Sequence, residues 1–379
     1  MEQPHTGGSY EFIVTVPDSP PLPALPISLL DVAPVNAGST STDALRASIE
    51  LAVRAERLGF TRVWVAEHHG MVGIASSAPA VLIGAIAAAT DHIRVGSGGV
   101  MLPNHAPLVV AEQFGTLAAL YPGRIDLGLG RAPGTDQMTA AALRRNAAGI
   151  STADFPQQLG ELVAFLRGSF PADHPYAQVA AVPHATPTPP IWLLGSSDYS
   201  AELAGRLGLP FAFAHHFSGG NTLMALARYR EHFQPTPDRP EPYAMVTVGV
   251  VCAVDDAEAQ RLALPSALSS LRLRQGRPGP VPTPEQAAAH PWTAAELGFV
   301  AERWAGQAIG GPATVRHQLG ELIRATQADE LMVTGPGARL ADRLDSLERT
   351  RAIFGDAPLP IGRASAGALS LGPSSAGLS

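Results

Sequence analysis

Short apolar runs alternate along the chain with longer segments whose apolar residues recur every three or four positions. ISLLD (27–31) reads as a strand. STDALRASIELAVRAERLGF after it reads as a helix: Leu45, Ile49, Ala52, Val53 and Leu58 share one face, Thr42 or Asp43 supplies the N-cap, and Gly59 the stop. The alternation continues through RVWVA (62–66), the small-residue helix SSAPAVLIGAIAAAT, the glycine-interrupted strand IRVGSGGVML (93–102), the helix PLVVAEQFGTLAALY and the strand RIDLGLG (124–130). It resumes with the helix FPQQLGELVAFLR and the strands PIWLLG (190–195), PFAFA (210–214), YAMVTVGVVCAV (243–254) and ELMVTG (330–335), each followed by a helical segment. Strands that are apolar throughout suit a parallel sheet covered on both faces. Eight strand–helix units in about 330 residues predict an α/β fold, a (β/α)8 TIM barrel with insertions; a doubly wound open sheet is the competing arrangement.

The ends of the chain depart from this pattern. Residues 1–26 are proline-rich and aperiodic, which predicts a flexible N-terminal extension, and 357–379 are small, polar and glycine-rich, which predicts a flexible tail. The barrel domain is then 27–356. Charge removes several functions. Net charge is −7 with no basic run, so a general nucleic-acid binder is excluded. All the positive charge is arginine. Without lysine there is no Schiff-base chemistry and no Walker-type phosphate loop, so a phosphate must be held by arginine, hydroxyls and backbone N–H groups. Cys252 stands alone in an apolar run and reads as a buried thiol; a disulfide within the chain and a cysteine zinc site are both excluded. No signal peptide and no membrane-length apolar run is found, and a cytoplasmic location is expected.

In a barrel of this kind, chemistry sits at the carboxyl ends of the strands. The first strand ends at Asp31, the second at Glu67-His68-His69, and the third carries Gly98-Gly99 into MLPNHAP. The fourth ends at GLGRAPGTD, with Arg131 and Asp136, the fifth at GSSDYS and the sixth at His215-His216. Neighbouring residues on a strand face opposite ways, so only one of His68 and His69 can face the barrel axis. With no HxH and no HExxH, no metal site is expected. His68 reads as a site residue and His69 as a hydrogen-bonded support. GSSDYS reads either as a phosphate cradle, with Gly195 admitting close approach, Ser197 and Ser200 offering hydroxyls and Arg131 the charge, or as an ordinary helix N-cap. GLGRAPG is not a dinucleotide fingerprint. The proline-rich stretch 274–298 reads as a lid or a surface linker.

These segments together resemble the bacterial luciferase-like flavin monooxygenases, in particular their single-chain subgroup. The resemblance runs over about residues 27–355 and rests on FTRVWVAEHHG, on IRVGSGGVMLPNHAPLVVAEQFGTLAALYPGRIDLGLGRAPGTD, on IWLLGSSDYSAELAGRLGLPFAFAHHF, and on GPATVRHQLGELI with ADELMVTG. It implies that His68, assisted by Glu67, is the catalytic histidine near the flavin ring. It further implies that Gly98-Gly99 form a cis peptide behind the ring, and that Arg131, Gly195, Ser196, Ser197 and Ser200 bind the cofactor. Two positions depart from luciferase itself: Ser196 replaces a glutamate, and Gly130 a reactive cysteine.

The activity implied is oxidation of a small aldehyde-like or apolar organic substrate by reduced FMN and O2, through a C4a-(hydro)peroxyflavin. His68 would be the acid/base. FMN would arrive reduced from a separate NAD(P)H:flavin reductase. A homodimer through the helices of 76–90 and 107–121 is the assembly the family suggests; packing on the barrel alone is the other reading of those helices. The alternatives are F420-dependent hydride transfer on the same fold, a non-catalytic flavin-binding protein, and a metal-dependent hydrolase.

Overall fold

Leu29 pairs with Val63 on one side and Val333 on the other, so the first strand lies between the second and the last and the sheet closes on itself. The computed structural model describes residues 21–132, 134–144, 154–217, 219–335 and 339–355. The strands are β1 (Ile27–Asp31), β2 (Arg62–Val65), β3 (Arg94–Ser97), β4 (Val100–Met101), β5 (Ile125–Gly130), β6 (Ile191–Gly195), β7 (Phe211–Phe213), β8 (Ala244–Cys252), β9 (Ala308–Gly310) and β10 (Glu330–Thr334). All pair in parallel, and β10 closes the ring by bonding both β8 and β1. The architecture is a (β/α)8 TIM barrel, and the open-sheet alternative is set aside. Of the expected N-terminal extension, residues 21–26 are described and bury Leu25 against the core; residues 1–20 and the expected tail 357–379 lie outside the described residues.

Helices cover the outside. They are α1 (Ser41–Arg57), α2 (Pro79–Ala88), α3 (Pro107–Leu120), α4 (Gln137–Arg144), α5 (Phe155–Arg167), α6 (Asp198–Arg206), α7 (Thr222–His232), α8 (Asp256–Arg274), α9 (Pro284–Ala288), α10 (Ala294–Trp304), α11 (Pro312–Thr326) and α12 (Leu340–Ile353). The N-cap of α1 is Thr40, not Thr42 or Asp43: Thr40 accepts from the Asp43 N–H while the Asp43 carboxylate accepts from the Thr40 N–H. This reciprocal capping box makes Asp43 the third residue of the helix. Among the described residues no helix is long and apolar enough to cross a membrane.

Three departures from the expected elements shape the site. The third strand is broken: β3 stops at Ser97, and β4 pairs with β5 alone. Residues 274–298 are not a plain linker. They hold α9 and the start of α10, each opened by a capping box, Thr283 with Gln286 and Thr293 with Glu296. Finally, β9 pairs with the far half of β8, with Cys252 opposite Gly310.

The barrel floor is ionic. Arg62 is fully buried; its Nη1 donates to Asp126 at 2.7 Å and its Nε to Glu330 at 2.8 Å. Tyr243 Oη donates to Glu330, and Trp64 Nε1 to Asp126. Burial pushes the Asp126 carboxyl up, but the Arg94 and Arg62 guanidiniums outweigh it and hold it below the usual carboxylate range. Above this layer Trp64, Trp192, Tyr243 and Met332 fill the axis, with Trp64 and Trp192 edge to face at 5.1 Å. Trp64 and Met332 of this layer also border a pocket at the carboxyl ends of the strands.

Candidate active site

The side chains of β2 alternate, and the alternation decides which of its terminal residues meets the pocket. His68 lines the pocket, together with Trp64 and Ala66 from the same edge. Glu67 faces away and is fully buried. Its Oε1 accepts hydrogen bonds from His69 Nε2 and His105 Nε2, both at 2.8 Å, and its Oε2 accepts from the Met101 N–H at 3.1 Å. Burial raises the Glu67 carboxyl, but the bonds from His105 and His69 and from the Met101 N–H bring it below the ordinary carboxylate value. Ligand atoms of Glu67, His69 and His105 lie within 4.8 Å of one another. Two imidazoles bonded to one carboxylate oxygen produce such a cluster without an ion.

Gly98 and Gly99 form the floor between β3 and β4, and the peptide joining them is cis. A side chain at Gly99 would meet backbone, and one at Gly98 would require Leu30 to move. A Cβ on Gly98 would lie 2.7 Å from Leu30 Cδ1, and one on Gly99 2.8 Å from the Gly128 carbonyl oxygen. The floor is therefore bare backbone, fixed from behind by the Glu67–Met101 bond. Gly130 also lines the pocket, and a Cβ there would lie 2.8 Å from Met101 Sδ.

The opposite end of the pocket is polar. Arg131 enters from the end of β5, and its guanidinium lies 4.4 Å from the centre of the Tyr199 ring. Gly195, Ser196, Ser197 and Ser200 enter from the turn between β6 and α6. Ser197 is the N-cap residue of α6 by position, yet its side chain makes no capping bond. Asp198 is drawn aside by Asn221, whose Nδ2 donates to it at 2.9 Å. The hydroxyls, one guanidinium and a helix N-terminus thus share one end of the cavity, a favourable place for an anion.

The pocket so formed holds about 320 Å³. His68, Gly98, Gly99, Arg131, Gly195, Ser196, Ser197 and Ser200 all line it; of the sequence-predicted site residues, Glu67 alone stands behind the wall. Asp31 is turned to Arg343, and Asp136 caps α4 through the Thr139 N–H. His216, noted in the sequence only as the end of a strand, lines the pocket beside Phe217. His105 had no signal that separated it from any surface histidine. Burial lowers His68, outweighing the attraction of Glu67, so its imidazole is neutral near pH 7; its Nδ1 is buried with no partner among the described residues. Burial also takes His216 down to about 4, against the opposing bond to the Thr247 carbonyl. The site thus offers two uncharged imidazoles, able to accept or relay a proton.

Comparison with known proteins points to one family. The family model described as luciferase-like monooxygenase matches residues 27–330. A luciferase-like monooxygenase of Escherichia coli (strain K12) is 47% identical over 321 residues, 85% of this chain and 94% of the relative. An N-acetyl-S-alkylcysteine monooxygenase of Bacillus subtilis (strain 168) is 39% identical over 264 residues, 70% of this chain and 78% of the relative. The crystal structure of apo-MsnO8 superposes with a TM-score of 0.80 at 41% identity, covering 87% of this chain and 98% of that one.

Proposed function

Since this chain belongs to the luciferase-like monooxygenase family, we propose that it is a flavin-dependent monooxygenase that oxidises a small organic substrate with reduced FMN and O2. The observation that carries this reading is the convergence on one pocket of a polar, anion-binding end from β5 and β6, a bare glycine floor after β3 and a neutral histidine after β2. The residues present fit FMN. Arg131, Ser197, Ser200 and the N-terminus of α6 would hold its phosphate. The Gly98-Gly99 backbone leaves room for a flat ring, and His68 Nδ1 is a buried polar atom that a bound molecule would satisfy.

When bound, reduced FMN supplies the electrons and the activation of O2. The protein contributes the rest. Leu30, Trp64, Leu194 and Met332 make the lower wall apolar and exclude water. His68 accepts or returns a proton at Nδ1, and Glu67, through Met101 and the two histidines, holds the floor in place. The chain has no dinucleotide fingerprint, which supports delivery of reduced FMN by a separate reductase. Val81 on α2 and Val109 and Leu120 on α3 are exposed, which supports pairing of two copies through these helices. The lone buried Cys252 suits a reducing cytoplasm.

The test is titration of the purified protein with FMN, reduced FMN and F420, followed by rapid mixing of the reduced complex with O2. Micromolar binding of reduced FMN and a slowly decaying absorbance transient, distinct from both reduced and oxidised flavin, are expected. Tight binding of F420 with no such transient would move the assignment to hydride transfer. Binding of neither would remove the flavin reading.

A further inference from the structure

A second chamber of about 300 Å³ adjoins the flavin pocket, and Val32, His68, His216 and Phe217 belong to the walls of both. Its far side is built by the segment between β8 and β9: Ser269 and Leu273 from α8, Gly279 and Val281 from the loop that follows, and Arg303 from α10. The loop is fastened to the barrel mouth. Val281 N–H donates to the Val35 carbonyl and Ala37 N–H to the Val281 carbonyl, each at 2.8 Å.

Among the described residues most of this lining is apolar and Arg303 is its one full charge; none of them brings a carboxylate into the chamber or forms an ion pair with Arg303. The Arg303 Nε is buried without a hydrogen-bond partner, as is Ser269 Oγ on the same wall. Burial depresses the guanidinium, and no acidic neighbour restores it. Glu302, the next residue, lines with Arg303 an adjoining outer hollow, but among the described residues no hydrogen bond or ion pair joins the two. Arg303 is half-buried, with its Nε inside the wall; the buried Arg62, Arg94 and Arg343 each meet a carboxylate. A partly buried guanidinium with no anion beside it suits a ligand carboxylate, which matches its planar fork.

We propose that this chamber binds the substrate, and that the substrate carries a carboxylate, held by Arg303 with Ser269 as a second donor. The apolar body lies along Met71, Ile74 and Val281, and the oxidisable end reaches the wall that His68 shares with the flavin pocket. The inference rests on the flavin-monooxygenase reading for which end reacts, but the anion site stands on the chamber alone.

The experiment is calorimetric titration of FMN-loaded protein with hexanoate and with hexanamide, a neutral analogue of the same shape. Hexanoate should bind at least about tenfold more tightly. Arg303→Gln should bring the ratio near one with FMN affinity within about twofold, and Arg303→Lys should keep part of the preference. Equal binding of the two probes, survival of the preference in Arg303→Gln, or no binding of either up to about 10 mM would overturn the proposal. FMN affinity is read first, and its absence overturns the flavin reading alone; the hexanoate-to-hexanamide ratio on flavin-free protein still tests Arg303.

Discussion

His105 Nε2 and Glu67 Oε1 lie 2.8 Å apart, a bond that joins the loop after β2 to the turn beyond the Gly98-Gly99 floor. With His69 on the same oxygen and Met101 N–H on the other, Glu67 is a hub for three segments and touches nothing in the pocket. Its part is positioning. Glu67→Gln keeps the size and removes the charge that both imidazoles face. The expected result is a loss of about 2–4 kcal/mol in stability, with weaker retention of FMN. A double-mutant cycle with His105→Gln should show coupling of about 1–3 kcal/mol, whereas additive effects would mean that the bond is incidental. Since the folded carboxyl is lowered, its stabilisation is complete above the unfolded value and is lost as pH falls through the folded one. Urea midpoints of the wild type and Glu67→Gln should therefore converge in acid.

His68→Asn should retain FMN and lose turnover by about 10²–10⁴-fold, the size of a general acid–base contribution. The pH profile carries a second signature. Burial lowers His68, so its neutral form persists into mild acid, and the acid limb of kcat should fall below the ordinary histidine value of about 6.5. A limb at or above that value would contradict the buried, uncharged imidazole.

Arg131→Ala should weaken FMN by about 10–100-fold, as expected for a charge-assisted contact to phosphate, and leave riboflavin affinity unchanged. Fluorescence titration with both flavins reads this directly. Equal losses for the two would place Arg131 at the ring rather than at the phosphate.

Asp126→Asn removes a carboxylate shared by Arg62, Arg94 and the Trp64 indole. It leaves Arg94 without a carboxylate and Arg62 with Glu330 alone, and should cost about 3–5 kcal/mol in chemical denaturation. The Asp126 carboxyl is lowered in the folded protein, so its contribution is present at neutral pH and disappears as pH falls through that depressed value.

Much of this fold was legible because buried parallel strands are apolar throughout, and all eight barrel strands stood where such runs occur. The interruption of IRVGSGGVML by its glycines was legible too, and the Gly98-Gly99 peptide is cis; that the second piece pairs with β5 alone was not. The helices α9 and α10 were hidden by the prolines around them. Their signal was present in TPEQ and TAAE, whose threonine-to-acid or amide spacing is a helix start. At the site, residue types at strand ends led to His68, Arg131 and the serines, because position in a barrel and chemistry point the same way. Glu67 shows the limit. A carboxylate beside a pocket histidine looks like a partner in the chemistry, and only the direction of its side chain sets it behind the wall. Arg303 carried no sequence signal, since a helical arginine becomes unusual only once every nearby carboxylate has been placed.

The pairing of Cys252 with Gly310 means that the chain departs from β8 and returns to the same rung of the ladder. Between them, α8, the loop after it and α10 line the second chamber, and no residue of 253–307 lines the first pocket. The segment is a cassette whose two ends are already neighbours. Exchanging it for another of different length would leave the lining of the first pocket untouched while renewing the chamber beside it, so that, on the proposed function, one barrel can be refitted for new substrates without relearning how to hold its flavin.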